Sequence, residues 1–238
     1  MHLAGFSGRR CVLLAAALFL CCTGALAGEL ALETLHRSDL DLDRVIERTD
    51  GSFGLLRGGR IEALGSDRAL TLLRESQEGQ TLFLSEGGSW IGVATHREAA
   101  AGLAPTASFR LLDAAGDPAW EIGPTEDVAY AISRQGAVVG MTLNLHVPDR
   151  NALRFYTDGG RLAAEVPVPG LLGGRFDADG AIFFAVSASE GLWAFDPVGT
   201  ERWAIPEVRL FDAAPGGRFV AAIAGDELVT IRDEAVSA

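Results

Sequence analysis

The chain has 238 residues, a formal net charge of −12 and no lysine. Without an ε-amine there is no Schiff base and no P-loop ammonium, and so acidic a surface repels nucleic-acid phosphates and anionic lipid heads. Cys11, Cys21 and Cys22 are its three cysteines, all near the N-terminus, so the rest of the chain holds no thiol nucleophile or thiolate metal site and depends on packing instead of disulfides.

In chain order, residues 1–27 are expected to be a signal peptide. Arg9 and Arg10 precede the apolar core CVLLAAALFLCC at 11–22, and Ala25-Leu26-Ala27 supplies an A-x-A cleavage site before Gly28. Cleavage removes every cysteine and leaves 28–238 as one domain, expected to be secreted or periplasmic with no stable membrane insertion. ELALETL at 29–35 follows and alternates as a strand does. DLDLDRVIERTD at 39–50 then sets Asp39, Asp41, Asp43 and Asp50 at positions 1, 3, 5 and 12 of a calcium-loop spacing, with Ile46 at position 8. Arg44 stands where the sharp turn of such a loop needs glycine, so the segment reads as an acidic connector, with a metal site as its alternative. No cofactor is expected.

From there one pattern recurs five times. Its turn glycines are Gly51, Gly88, Gly136, Gly180 and Gly217, at steps of 37, 48, 44 and 37 residues, close to the roughly 40–50 residues of a four-stranded propeller blade. A strand-like run follows each glycine: SFGLL at 52–56, SWIGVAT at 89–95, AVVGMTL at 137–143, AIFFAVS at 181–187 and RFVAAIA at 218–224. A third strand closes on Asp113, Asp158, Asp196 or Asp233 in four of the five units, where a carboxylate followed by glycine makes a turn. The first unit has RIEAL at 60–64 in that place, and outer strands follow at PAWEI 118–122, RLAAEVPV 161–168 and ERWAI 201–205. The fold expected is all-β, a β-propeller of about five four-stranded blades starting near residues 44, 81, 128, 171 and 208. Because the chain ends five residues after Asp233, residues 29–35 are expected to supply the outer strand of the last blade and spare it an open edge. The competing reading is five blades of a longer propeller.

The run from Asp179 to Trp203, D-G-x-I-F through G-L-W-A-F-D-x-x-G-x-x-x-W, resembles the PQQ-like repeat of quinoprotein-type propellers. The match is good in the fourth unit, fair from Gly88 to Trp120 and degenerate elsewhere. The resemblance implies a blade type that serves both dehydrogenases and non-enzymatic assembly propellers. Catalytic members carry a vicinal cysteine pair near the quinone, and here the pair Cys21-Cys22 sits in the leader, so the resemblance comes without the PQQ site.

His36, His96 and His146 are too widely separated for a helical zinc pair, and Ser89 lacks a G-x-S-x-G frame. Trp120 and Trp203 recur at one blade position, which favours packing between blades over sugar stacking. Ligands of propellers usually meet the loops leading into the innermost strands. In this register those loops carry Glu126, Asp127, Arg175, Glu207 and Arg209, the candidate ligand-binding residues. The function expected is a non-catalytic binding or scaffolding module for a protein or a small polar ligand at the channel face. Its alternative is a propeller hydrolase, glycosidase- or lactonase-like, using channel carboxylates and calcium; a sensor or stalk of a longer precursor is a third.

Overall fold

The computed structural model describes residues 43–97 apart from 66 and 68, 106–214 apart from 145, 219–232 and 235–237. Among these residues, twenty strands make five four-stranded antiparallel sheets, each built from four consecutive strands. The first sheet is β1 (Arg44–Glu47), β2 (Phe53–Arg57), β3 (Arg60–Leu64) and β4 (Leu70–Glu75). The second is β5 (Gln80–Leu84), β6 (Trp90–Arg97), β7 (Thr106–Asp113) and β8 (Pro118–Thr125). The third is β9 (Ala129–Ile132), β10 (Val138–Thr142), β11 (Ala152–Thr157) and β12 (Arg161–Pro167). The fourth is β13 (Leu171–Phe176), β14 (Phe183–Ser187), β15 (Gly191–Phe195) and β16 (Glu201–Ile205). The fifth is β17 (Val208–Ala213), β18 (Phe219–Ala224), β19 (Glu227–Arg232) and β20 (Ala235–Ser237). This is the β-propeller plan, with β5, β9 and β13 as neighbouring inner strands.

The last sheet corrects one expectation. Its outer strand is the chain's own β20, whose Ala235, Val236 and Ser237 pair with Arg232, Ile231 and Thr230 of β19. Two intervening residues suffice for an antiparallel return, so the few residues after Asp233 are enough to cap the edge. Residues 29–35, expected in that role, lie outside the described residues.

The core is divided among the junctions between successive sheets. Ile46 and Ile61 meet Leu82, Leu84, Ile91 and Val93 between the first and second sheets. Phe109, Leu111 and Ile122 meet Tyr130, Ile132 and Tyr156 between the second and third. Leu153 and Phe155 meet Phe176, Phe183 and Phe195 between the third and fourth. Leu192, Trp203 and Ile205 meet Val208, Val220, Val229 and Ile231 between the fourth and fifth. Each sheet therefore buries both faces where it has two neighbours, which explains why β10 and β14 read as nearly continuous apolar runs instead of alternating ones. Trp203 packs at 5.9 Å on Phe184 and Trp120 at 6.2 Å on Phe109, so both tryptophans belong to junctions.

The repeated glycine turns stitch neighbouring sheets as well as strands. Trp90 Nε1 donates to the Arg134 carbonyl at 3.2 Å, and Gln135 Nε2 donates to the Asp179 carbonyl at 2.7 Å. The first ties the start of β6 to the turn of the next repeat, and the second joins a turn to its counterpart 44 residues on. Gly180, at φ 71°, leaves no room for a side chain: a Cβ there would stand 2.9 Å from the Arg134 nitrogen. Among the described residues no helix is long and apolar enough to cross a membrane.

Candidate functional site

An even number of antiparallel strands returns the chain to the same side of every sheet, so the inner strands β1, β5, β9 and β13 all run in one direction. The turns that leave them consequently gather at one end of the barrel-like centre. Each is closed by a glycine N–H to the carbonyl three residues earlier: Gly51 to Arg48, Gly88 to Ser85, Gly136 to Ser133 and Gly180 to Asp177, all at 3.0–3.1 Å. The residue opening three of these turns is a buried polar cap. Ser85 Oγ accepts from the Trp90 N–H at 3.0 Å, Ser133 Oγ from Ala137 at 2.9 Å, and Asp177 Oδ1 from Ile182 at 2.9 Å. With its first position committed to the backbone, each turn presents its second position outward. Those second positions are Thr49, Glu86, Arg134 and Ala178, and all four line one cavity of about 860 Å³. Asp43, Arg44, Glu47 and Arg48 from the first sheet and Arg175 from β13 complete its charged wall.

Three of the four arginines of this wall are matched, while the exposed carboxylates of Asp43 and Glu47 have no ion-pair partner among the described residues. Arg44 pairs with Glu86 through Nη2 and donates from Nη1 to the Leu84 carbonyl at 3.1 Å. Arg175 pairs with Asp212 at 3.1 Å and lies 5.2 Å from the Phe211 ring centre. Burial pushes the Glu86 carboxyl up from its ordinary 4.5; Arg44 and Arg175 oppose that shift and Asp177 adds to it. Arg134 differs. Its exposed guanidinium has no ion-pair partner among the described residues, and its stem is held against Gly87, where a Cβ would stand 3.1 Å from Arg134 Cγ and 3.3 Å from Nε.

The raised Glu86 carries a pH signature. A carboxyl whose folded value exceeds its unfolded one keeps its proton where the unfolded chain has lost it, so stability falls as pH rises from about 4.5. Glu86→Gln should abolish that part of the slope. Melting temperatures between pH 4 and 7 check it: the variant should gain on the wild type toward neutral pH, and parallel curves would contradict the assignment.

Of the five residues expected to converge at a mouth, the cavity includes Arg175 alone. Arg175 is the fifth of six residues in β13, near its trailing end, whereas Glu126 and Glu207 are exposed residues ahead of β9 and β17, at the leading ends. Arg209 lies within β17. The five therefore do not share one mouth, because the loops ahead of the inner strands and the turns after them lie on opposite sides of the sheets.

Asp127 has another role altogether. It is fully buried, accepting from Arg154 Nη1 at 2.7 Å, Tyr156 OH at 2.9 Å and Thr142 Oγ1 at 3.2 Å. Arg154 also binds Glu165 at 3.1 Å. Burial, then the adjacent Asp127 charge, holds the Tyr156 phenol well above its ordinary value; Tyr130, buried beside the same network, is pushed up to about 12. The acidic connector resolves similarly. Asp43 accepts from the Gly58 N–H at 3.0 Å, and Asp50 accepts from Ser52 N–H and Oγ at 3.0 and 2.6 Å, the hydroxyl contact chiefly holding its carboxyl below the ordinary value. Strand β1 separates the two, so they stand at opposite ends of an extended segment and do not wrap a common ion; Asp39 and Asp41 lie outside the described residues.

Arg44, Glu86 and Arg134 were absent from the sequence expectation. The signal that finds them is positional: they occupy an inner strand or the residue two before a turn glycine, in S-E-G-G at 85–88 and S-R-Q-G at 133–136.

No protein-family model matches the chain, and no curated protein matches it. Solved structures do. An oligogalacturonate lyase in complex with manganese aligns with TM-score 0.58 at 11% identity, over 85% of this chain and 66% of its own. A gluconolactonase from Xanthomonas campestris aligns with TM-score 0.48 at 17% identity over 79% of this chain and 71% of its own. A protein of unknown function from Bacteroides caccae aligns with TM-score 0.49 at 11% identity over 83% and 80%. At 11% identity the likeness to the lyase concerns architecture alone, and it agrees with the five-sheet plan: the protein is a β-propeller.

Proposed function

We propose that this protein is a propeller binding module of the PQQ-like blade type, exported by its leader, which holds a small ligand with an anionic group in the cavity at the trailing ends of the inner strands. The observation that carries this reading is Arg134, a guanidinium lining the cavity with no ion-pair partner among the described residues, in a protein of net charge −12. A cation kept unneutralised amid so much negative charge is set to take up an oxyanion, since charge-assisted bonds from a guanidinium to carboxylate or phosphate are the strong ones. The four turn positions supply the means of choice: they share one backbone and differ in side chain, so they tune selectivity without disturbing the fold.

A thermal-shift screen with phosphate, citrate and glucuronate, followed by titration of the best probe, tests the reading. Arg134→Gln should weaken binding at least tenfold, about 1.4 kcal/mol, with an unchanged melting temperature in the absence of probe. No response to any anion, or equal affinity in the variant, would refute it.

One observation favours a hydrolase as a second reading. Glu86 is a carboxyl that burial raises inside a cavity, against the opposing pull of Arg44, and a raised carboxyl is what a general acid needs. Turnover of glycoside or lactone substrates, lost in Glu86→Gln, would establish it.

A further inference from the structure

We propose that the ligand of this cavity is a zwitterion, a small amino acid in the broad sense, whose carboxylate meets Arg134 and whose ammonium group meets Glu47. This rests on the reading of Arg134 as an anion site and adds the other half of the ligand.

Among the charged residues lining the cavity, Arg44, Arg48 and Arg175 are paired with Glu86, Asp50 and Asp212. Asp43 accepts from the Gly58 N–H. Glu47 and Arg134 alone have neither an ion pair nor a side-chain hydrogen bond among the described residues, and both are exposed. The wall thus carries one uncommitted charge of each sign.

The fold holds these two at the same end of the cavity. Glu47 is the last residue of β1, and Arg134 belongs to the turn that follows β9, so both stand at trailing ends of inner strands. Gly87 lies between them. Its carbonyl accepts from the Thr49 N–H at 3.3 Å, two residues or roughly 6–7 Å of chain beyond Glu47. The stem of Arg134 packs on the same glycine, with Cγ 3.1 Å from where a Cβ would stand. Glu47 is fixed in turn by its pairing with Phe53 on β2 and by the Arg48 N–H, which donates to the Ser52 carbonyl at 2.8 Å. No ion pair joins Glu47 to Arg134, so a molecule that reaches both takes the place of the missing pair. The turns at this end add Thr49, Gly51, Gly87 and Ala178 to the lining, small side chains that leave room for a short ligand and supply no apolar surface for a bulky one.

Electrostatics work against a plain anion here. A carboxylate arriving at Arg134 brings its charge toward Glu47 and into a protein of net charge −12, and both repel it. An ammonium group on the same molecule turns the repulsion at Glu47 into a charge-assisted hydrogen bond. It also leaves the ligand neutral overall, so the field of the protein no longer opposes entry.

Calorimetric titration of the full chain at neutral pH tests this with β-alanine and γ-aminobutyrate, each against propionate or butyrate, the same molecule without its amine. At least one amine-bearing probe should bind about tenfold tighter than its counterpart, about 1.4 kcal/mol. Glu47→Gln should erase that preference and strengthen binding of the amine-free carboxylate, with an unchanged melting temperature. Arg134→Gln should weaken both members of the pair. Glu126→Gln removes an equal charge from the opposite ends of the inner strands and should keep the preference. A carboxylate that binds through Arg134 with no advantage from the amine would overturn the zwitterion and leave the anion site standing. So would a preference that survives Glu47→Gln, or one lost equally in Glu126→Gln, because net charge would then set it. No binding by any of the four probes would overturn both readings.

Discussion

Replacing Asp127 with alanine should cost about 3 kcal/mol of unfolding free energy, near the low end for removing one partner of a buried pair. The carboxylate is fully buried and holds Arg154, Tyr156 and Thr142 at once, so its loss leaves two hydroxyls without an acceptor and the guanidinium half-matched. Arg154 keeps Glu165, which places the cost at that low end. The network is also sterically closed, since a Cβ at Gly140 would overlap the Asp127 carboxylate. Urea unfolding measures the effect: a lower midpoint with unchanged slope is expected, and a loss under about 1 kcal/mol would mean that water had replaced the carboxylate.

Phe155→Ala should cost about 3–5 kcal/mol, the range for deleting a buried ring. Phe155 is fully buried between the third and fourth sheets, with its ring centre 5.8 Å from that of Phe183 and 5.5 Å from that of Phe195. Gly199 approaches it so closely that a Cβ there would stand 2.7 Å from Phe155 Cδ2. Backbone on one side and two aromatic rings on the other limit collapse, so the cavity persists and the full penalty applies. Guanidinium unfolding of the variant checks it, and a cost below about 1.5 kcal/mol would show that the junction relaxes as a looser core does.

The turns were legible in the sequence because their chemistry is local. Gly51, Gly88, Gly136 and Gly180 each close a four-residue turn at the end of an inner strand, and all four have positive φ, where glycine alone is unstrained. Trp120 and Trp203 were legible as packing residues for the same reason, since position within a repeat decides which face they share. The cavity was not. Glu86 and Arg134 look unrelated in their turns, and they become neighbours only because inner strands run parallel around a centre, a relation that spans sheets. Asp127 looked like a rim carboxylate; its burial depends on Arg154 and Tyr156 reaching it from β11, two strands away from β9. The outer strand of the fifth sheet was missed because the five residues after Asp233 read as too short a stretch to supply one, although three cross-strand pairs form.

Calorimetric titration of the best anionic probe into wild type, Arg134→Gln, Ala178→Arg and Glu126→Gln tests the account most directly. Ala178 occupies the same turn position as Arg134 beside the same cavity, so a second guanidinium there should tighten binding several-fold, while loss of the first weakens it at least tenfold, about 1.4 kcal/mol. Glu126, ahead of β9, should have no effect. Binding that ignores both turn positions and changes with Glu126 would contradict the account, and would return the site to the opposite ends of the inner strands.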